Sequence, residues 1–118
     1  MEILTSDQLV AQKCTLCEGS NSPCSVELSQ QQLKNLPGWE LGDDQKSISK
    51  TWTFSNFLQC LEFCNRIGVI AEEEQHHPDL HLTGYKYVRV DVMTHDIDGL
   101  SKNDFILAAK INRVEHAG

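Results

Sequence analysis

The sequence predicts an α+β domain: a four-stranded antiparallel sheet with helices packed on one face, preceded by an irregular N-terminal arm. Three observations carry that expectation. Tyr87 to Thr94 alternates cleanly, with Val88, Val90 and Val92 on one side and Tyr87, Arg89, Asp91 and Met93 on the other, as a strand with one buried face does. Apolar residues recur at three-and-four spacing after Phe57 and again after Phe105, which marks two helices with one apolar face each. Short strand-like runs separated by turn residues favour hairpins and so antiparallel pairing, and the apolar helix faces call for a sheet to cover.

The elements follow in order. Residues 1–27 show little periodicity and contain the turn-prone Gly19-Ser20-Asn21-Ser22-Pro23, so they read as an arm laid over a domain of residues 28–118. Ser29 is a suitable N-cap for a short helix through Leu33 and Leu36, stopped by Pro37-Gly38. Trp39-Glu40-Leu41, the turn-like Gly42-Asp43-Asp44-Gln45 and the run Ser47 to Thr53 read as a hairpin, with Ile48 and Trp52 apolar; its second strand, rich in Ser and Thr, reads as an edge. Ser55 or Asn56 caps the next helix, in which Phe57, Leu61, Cys64, Gly68 and Ala71 trace one stripe, widened by Leu58, Ile67 and Ile70. Pro78 disfavours helical geometry in His77, which ends that helix near Gln75. Leu80 to Leu82 is a short strand, Thr83-Gly84 a turn, and His95 closes the valine strand. Ser101 to Asp104 resembles a capping box that opens a last helix bearing Phe105, Leu107, Ala108 and Ile111.

Composition narrows the function. The chain has 118 residues, enough for one modest core, with 40% apolar and 23% charged side chains. Seventeen acidic against 10 basic residues give a net charge of −7, the wrong sign for direct nucleic-acid binding. No apolar run approaches the roughly 20 residues of a membrane helix, and MEILTSDQLVAQK lacks the basic-then-apolar pattern of a secretory signal. Five cysteines, an odd count without such a signal, argue against a disulfide framework and for a reducing cytoplasm.

Two groups of residues bear on chemistry. Cys14-Thr15-Leu16-Cys17 has the spacing of half a zinc site; Cys24 is a possible third ligand, no fourth is near, and no strand precedes it as a redox motif would need. Cys60 and Cys64 stand four apart on a helix and read as packing residues. The stretch Glu72 to Leu80, EEEQHHPDL, places His76 and His77 side by side at a helix C-terminus. The pair admits three readings: surface residues, metal ligands completed by His81 or His95, or an acid–base pair. Glu72 lies one helical turn before His76, where a carboxylate can orient an imidazole. Adjacent histidines diverge, which disfavours a shared ion. His95 at a strand end and Asp104 at a helix start add to a set of imidazoles and carboxylates without lysine or an evident nucleophile, a set suited to general acid–base chemistry on a neutral small molecule.

Glu72, His76-His77-Pro78, Tyr85, Thr94-His95, Gly99-Leu100-Ser101 and Asp104, at these spacings, resemble the signature of the pterin-4a-carbinolamine dehydratases. Pro37-Gly38-Trp39, the last helix from Asn103 to Ile111, and Lys13-Cys14 to Cys17-Glu18-Gly19 are similar to further parts of bacterial members, so the resemblance covers nearly the whole chain. It implies dehydration of 4a-hydroxytetrahydropterin to the quinonoid dihydropterin, in the recycling of the pterin used by aromatic amino acid hydroxylases, with no metal and no organic cofactor. It implies that His76, His77 and His95 are catalytic, that Glu72 orients His76, that Asp104 supports the site and that Trp39 walls the pocket. It further implies a homo-oligomer, dimer or tetramer, and a hydroxylase as functional partner. Gln75, Leu80 and Lys86 depart from residues common in relatives and bear on pterin side-chain preference. The rival expectation is a non-catalytic role on the same fold, in dimerisation, assembly or as a transcriptional cofactor.

Overall fold

The structure, a computed structural model, describes residues 3–15 and 22–114. Its elements are α1 (Ser6–Val10), α2 (Val26–Leu33), β1 (Glu40–Leu41), β2 (Ile48–Thr53), α3 (Phe57–Glu74), β3 (Asp79–Thr83), β4 (Tyr87–Val92), a 3-10 turn (His95–Ile97) and α4 (Lys102–Asn112). The four strands form one sheet in the order β1-β2-β4-β3, with every neighbour antiparallel. This is the α+β architecture expected.

Strand alternation decides which face the helices cover. Ile48 of β2 and Val88, Val90 and Val92 of β4 are fully buried on one side, while Thr51, Thr53, Tyr87 and Arg89 on the other are exposed. Trp52 joins this side of the sheet to α3, its ring 4.9 Å from that of Phe63, which also meets Phe54 at 5.1 Å. α4 is buried from Asn103 through Ala109 and at Ile111. It contacts β4, and it has α3 and α1 as helical neighbours.

Four expectations need correction. The arm is not irregular throughout: Thr5 and Gln8 close a capping box on α1, and Leu4 and Leu9 enter the core against the last helix. A five-residue helix is too short to show periodicity, which is why the sequence hid it. Ser25, not Ser29, caps α2; Ser29 lies inside the helix and is buried. β2 is an interior strand, paired on both sides, and its Ser and Thr residues mark the open face of the sheet rather than an edge. The buried stripe of α3 runs through Cys60, Phe63, Ile67, Ala71 and Glu74. The expected face shares Ile67 and Ala71 with it but is rotated from it, so Phe57, Leu58 and Leu61 are exposed instead. The open face is polar and internally paired, with Asp91 bonded to Arg89 at 3.0 Å and to His81 at 2.7 Å.

The ends of α3 and α4 are tied by Glu74, the last residue of α3. Its carboxylate takes Lys110 Nζ of α4 at 2.7 Å and the backbone N–H of Cys14 at 2.8 Å. Burial by itself raises the Glu74 carboxyl, but the ammonium and the N–H outweigh it and hold it below its ordinary value of 4.5. A carboxyl depressed in the folded state adds stability above its unfolded pKa and loses that contribution as pH falls through the folded value. The stability of the wild type, followed by urea unfolding, is therefore expected to fall more steeply below pH 4.5 than that of Glu74→Gln, the two curves converging in acid. Phe63→Ala, which empties the joint between sheet and α3, is expected to cost about 3–5 kcal/mol in the same measurement.

Candidate active site

Antiparallel pairing brings two chain segments to one end of the sheet. Asp79, the first residue of β3, pairs with Asp91 near the end of β4. His76 and His77 come just before Asp79 and Thr94 and His95 just after β4, so both pairs lie at this end of the sheet. α3 ends just before this point: Gln75 turns left-handed at φ 52°, and His76 N–H closes the helix onto Ala71 C=O at 3.2 Å. α4 begins at the same place, because Thr94 and Gly99 pair across the loop that leads into it.

Asp104 organises the cluster. Its side chain has no solvent exposure, and every partner is directional. Oδ1 bonds His76 Nε2 at 2.7 Å. Oδ2 accepts the Ser101 N–H and the Thr94 hydroxyl, each at 2.8 Å. Thr94 has one hydroxyl proton and gives it to Asp104, so the Ser101 hydroxyl donates to Thr94 Oγ1 at 2.7 Å and accepts the Asn103 N–H at 3.2 Å. Asp104 is thus both the N3 residue of the α4 capping box and the partner of His76. With a carboxylate at Nε2, that nitrogen carries the proton, and Nδ1 is the ring atom left to exchange a proton with another molecule.

His77 carries a second pair, Nε2 to Glu72 Oε2 at 2.8 Å, on the surface. Sequence spacing placed Glu72 beside His76; the left-handed Gln75 ends helical spacing there, and the glutamate reaches the next histidine instead. His95 is exposed and starts the 3-10 turn, one residue beyond Thr94, which shares Asp104 with His76. His76, His77, His95, Glu72 and Asp104 therefore converge on one end of the sheet. Trp39 does not join them. Its indole N–H donates to Asn112 Oδ1 at 2.9 Å, and its ring meets Trp52 edge-on at 5.8 Å. Asn112 ends α4 and Asp104 begins it, about 12 Å apart along the helix.

Thr94 and Ser101 are site residues whose role sequence reasoning missed. The Ser101–Asp104 capping box was legible, but a cap does not reveal that the same carboxylate has a histidine on its other oxygen. Among the described residues no three His, Cys, Asp or Glu side chains are arranged to hold a metal ion, and Cys17 lies outside those residues. Burial, with the Glu74 carboxylate beside it, pushes the Cys14 thiol up to about 12. That shift disfavours the thiolate, the reactive form of a cysteine.

The family model described as pterin 4 alpha carbinolamine dehydratase matches residues 22–114. Two bacterial proteins, each described as "Putative pterin-4-alpha-carbinolamine dehydratase", are similar to most of the chain. The Methylococcus capsulatus protein is 41% identical over 90% of this chain and 92% of its own. The Nitrosomonas europaea protein is 45% identical over 88% and 90%. A crystal structure described as a transcriptional coactivator/pterin dehydratase from Brucella melitensis superposes with a TM-score of 0.74 at 27% identity, covering 82% of this chain and all of that one. A match of this extent to the family model, joined to relatives above 40% identity over nearly their full length, shows that the chain belongs to the pterin 4 alpha carbinolamine dehydratase family.

Proposed function

We propose that the chain removes water from 4a-hydroxytetrahydropterin by histidine general acid–base catalysis. The observation that carries this reading is the His76–Asp104 pair, a buried carboxylate fixing one imidazole, with His77 and His95 at the same end of the sheet. In the reaction the carbon–oxygen bond at the 4a position breaks. The departing hydroxyl takes a proton and leaves as water, and a ring nitrogen gives up a proton as the carbon–nitrogen double bond forms. Protons in and out balance, so the enzyme needs one group protonated and another neutral at the start, and solvent exchange resets both. Two imidazoles can divide these tasks near neutral pH, because theirs is the side-chain pKa nearest to it. Asp104 and Glu72 set which ring nitrogen of His76 and His77 faces the substrate. The product, a quinonoid dihydropterin, returns to an aromatic amino acid hydroxylase cycle after reduction, and the cytoplasm is the compartment the reading implies.

A binding role is the second reading, favoured by the apolar strip on α3. Phe57, Leu58 and Leu61 are 48%, 70% and 40% exposed, and they lie in the first turns of α3, at the opposite end of the helix from His76. This strip, rather than the polar open face of the sheet, is the surface we assign to self-association as a dimer or tetramer.

Single replacement of His76, His77 or His95 by Ala is expected to slow loss of 4a-hydroxytetrahydropterin by about 10²–10⁴-fold at unchanged circular dichroism. The losses should not add in double variants, since groups acting as a unit are non-additive. His81→Ala, which touches only the Asp91 network on the open face, is expected to leave the rate within about two-fold, as surface changes away from a site do. An intact rate in His95→Ala would misplace the site. In light scattering at micromolar concentration, Leu58→Glu combined with Leu61→Glu is expected to reduce the mass of the assembly; an unchanged mass moves the interface elsewhere.

A further inference from the structure

The site is gripped from outside by a segment that takes no part in proton transfer. The Cys14 N–H donates to Glu74 Oε1 at 2.8 Å. The Thr15 N–H donates to Asn103 Oδ1 at 3.0 Å, and the Asn103 amide donates back to the Thr15 carbonyl. Glu74 lies two residues before His76, and Asn103 immediately precedes Asp104. The chain returns at Pro23 and Cys24. There the Cys24 N–H donates to Leu100 C=O at 2.7 Å, and Pro23 lies so close over Gly99 that a Cβ added to the glycine would sit 2.6 Å from Pro23 Cβ. Gly99 in turn pairs with Thr94. The arm thus fastens the end of α3, the start of α4 and the loop after β4, the three pieces that meet at Asp104.

We propose that residues 14–15 and 23–24 act as a positioning strap, in which Glu74 and Asn103 lock the His76–Asp104 pair into its reactive alignment; the proposal rests on the dehydratase reading of that pair. Glu74 and Asn103 are only 7% and 5% exposed, and both direct hydrogen bonds at arm backbone. Burying such groups costs desolvation that an apolar side chain would not incur, so adhesion alone does not account for them. What hydrogen bonds add is direction. Two helix ends held at fixed azimuth across one 2.7 Å bond keep carboxylate and imidazole aligned, whereas apolar packing alone leaves them free to slide. Misplacement by about 1 Å is enough to lower turnover 10²-fold.

The test uses the full chain carrying Asn103→Ala, which removes both side-chain bonds to Thr15, and Val90→Ala, a fully buried sheet position, as a control for lost stability. Thr15→Pro removes the donor N–H at an exposed position and serves if Asn103→Ala does not fold. The readouts are kcat and KM for 4a-hydroxytetrahydropterin, thermal midpoint, and the proton NMR signal of the His76 ring N–H that faces Asp104. Asn103→Ala and Thr15→Pro are expected to lower kcat about 10-fold with KM within about three-fold and to broaden that signal. Val90→Ala, at an equal or larger loss of thermal midpoint, is expected to keep both. Glu74→Ala should lower kcat likewise, with most of the loss recovered in Glu74→Gln, which retains an acceptor for the Cys14 N–H. Equal kcat losses in Val90→Ala and Asn103→Ala, or an intact kcat and signal in Asn103→Ala, would overturn the strap. A wild type without dehydratase activity would instead sink the functional reading, and the NMR comparison would still decide the strap: broadening in Asn103→Ala but not in Val90→Ala supports it, and a sharp signal in both overturns it.

Discussion

A carboxylate removed from water stands only if the protein supplies the hydrogen bonds that water gave. Asp104 meets that condition with three donors, and each comes from a different piece of structure. Ser101 N–H belongs to the first turn of α4, the Thr94 hydroxyl to the segment leaving β4, and His76 Nε2 to the turn leaving α3. The same two oxygens therefore cap a helix, join that helix to the sheet and aim an imidazole. Fold and site are not separable here, because loss of the carboxylate would release all three at once and leave buried donors unpaired. That coupling fixes the place of the histidine cluster: it lies where the helix start, the strand exit and the helix end meet.

The elements legible in the sequence were those whose pattern is local. The alternation of Val88, Val90 and Val92 gave β4 its buried face, and Ser101 with Asp104 marked the start of α4. What escaped was set by partners distant in the chain. Ser49, Thr51 and Thr53 resemble an edge strand until β4 is placed beside them. The stripe of α3 has two possible registers, and the one that wins buries Glu74, a residue that hydropathy places outside, because Lys110 and the Cys14 N–H wait for it. The histidines themselves stood out as a pair, yet Glu72 was assigned to His76 by helical spacing that stops at Gln75. Trp39, which the resemblance puts at the pocket wall, is instead buried with its indole N–H on Asn112.

The two sides of the molecule differ in character. On the open face of the sheet, Arg89, Asp91 and His81 satisfy one another and present a solvated surface. On α3, Phe57, Leu58 and Leu61 stand in solvent while Cys60, Phe63, Ile67, Ala71 and Glu74 take the inner positions. That register brings Phe63 to Trp52 and Phe54 and brings Glu74 to Lys110 and the Cys14 N–H. The register that completes the site turns an apolar strip outward.

The arm's bonds join residues very far apart in the chain, 60 positions between Cys14 and Glu74 and 88 between Thr15 and Asn103. By contrast, β3 and β4 pair from Thr83 with Tyr87 outward, a ladder that needs almost no loop closure. Closure entropy grows with the span enclosed, and long-range contacts form slowly. The hairpin that carries the site is consequently free to form early, while docking of the arm belongs to the end of folding. On a ribosome Cys14 and Thr15 are made before α4 and must wait for it before they can be fastened.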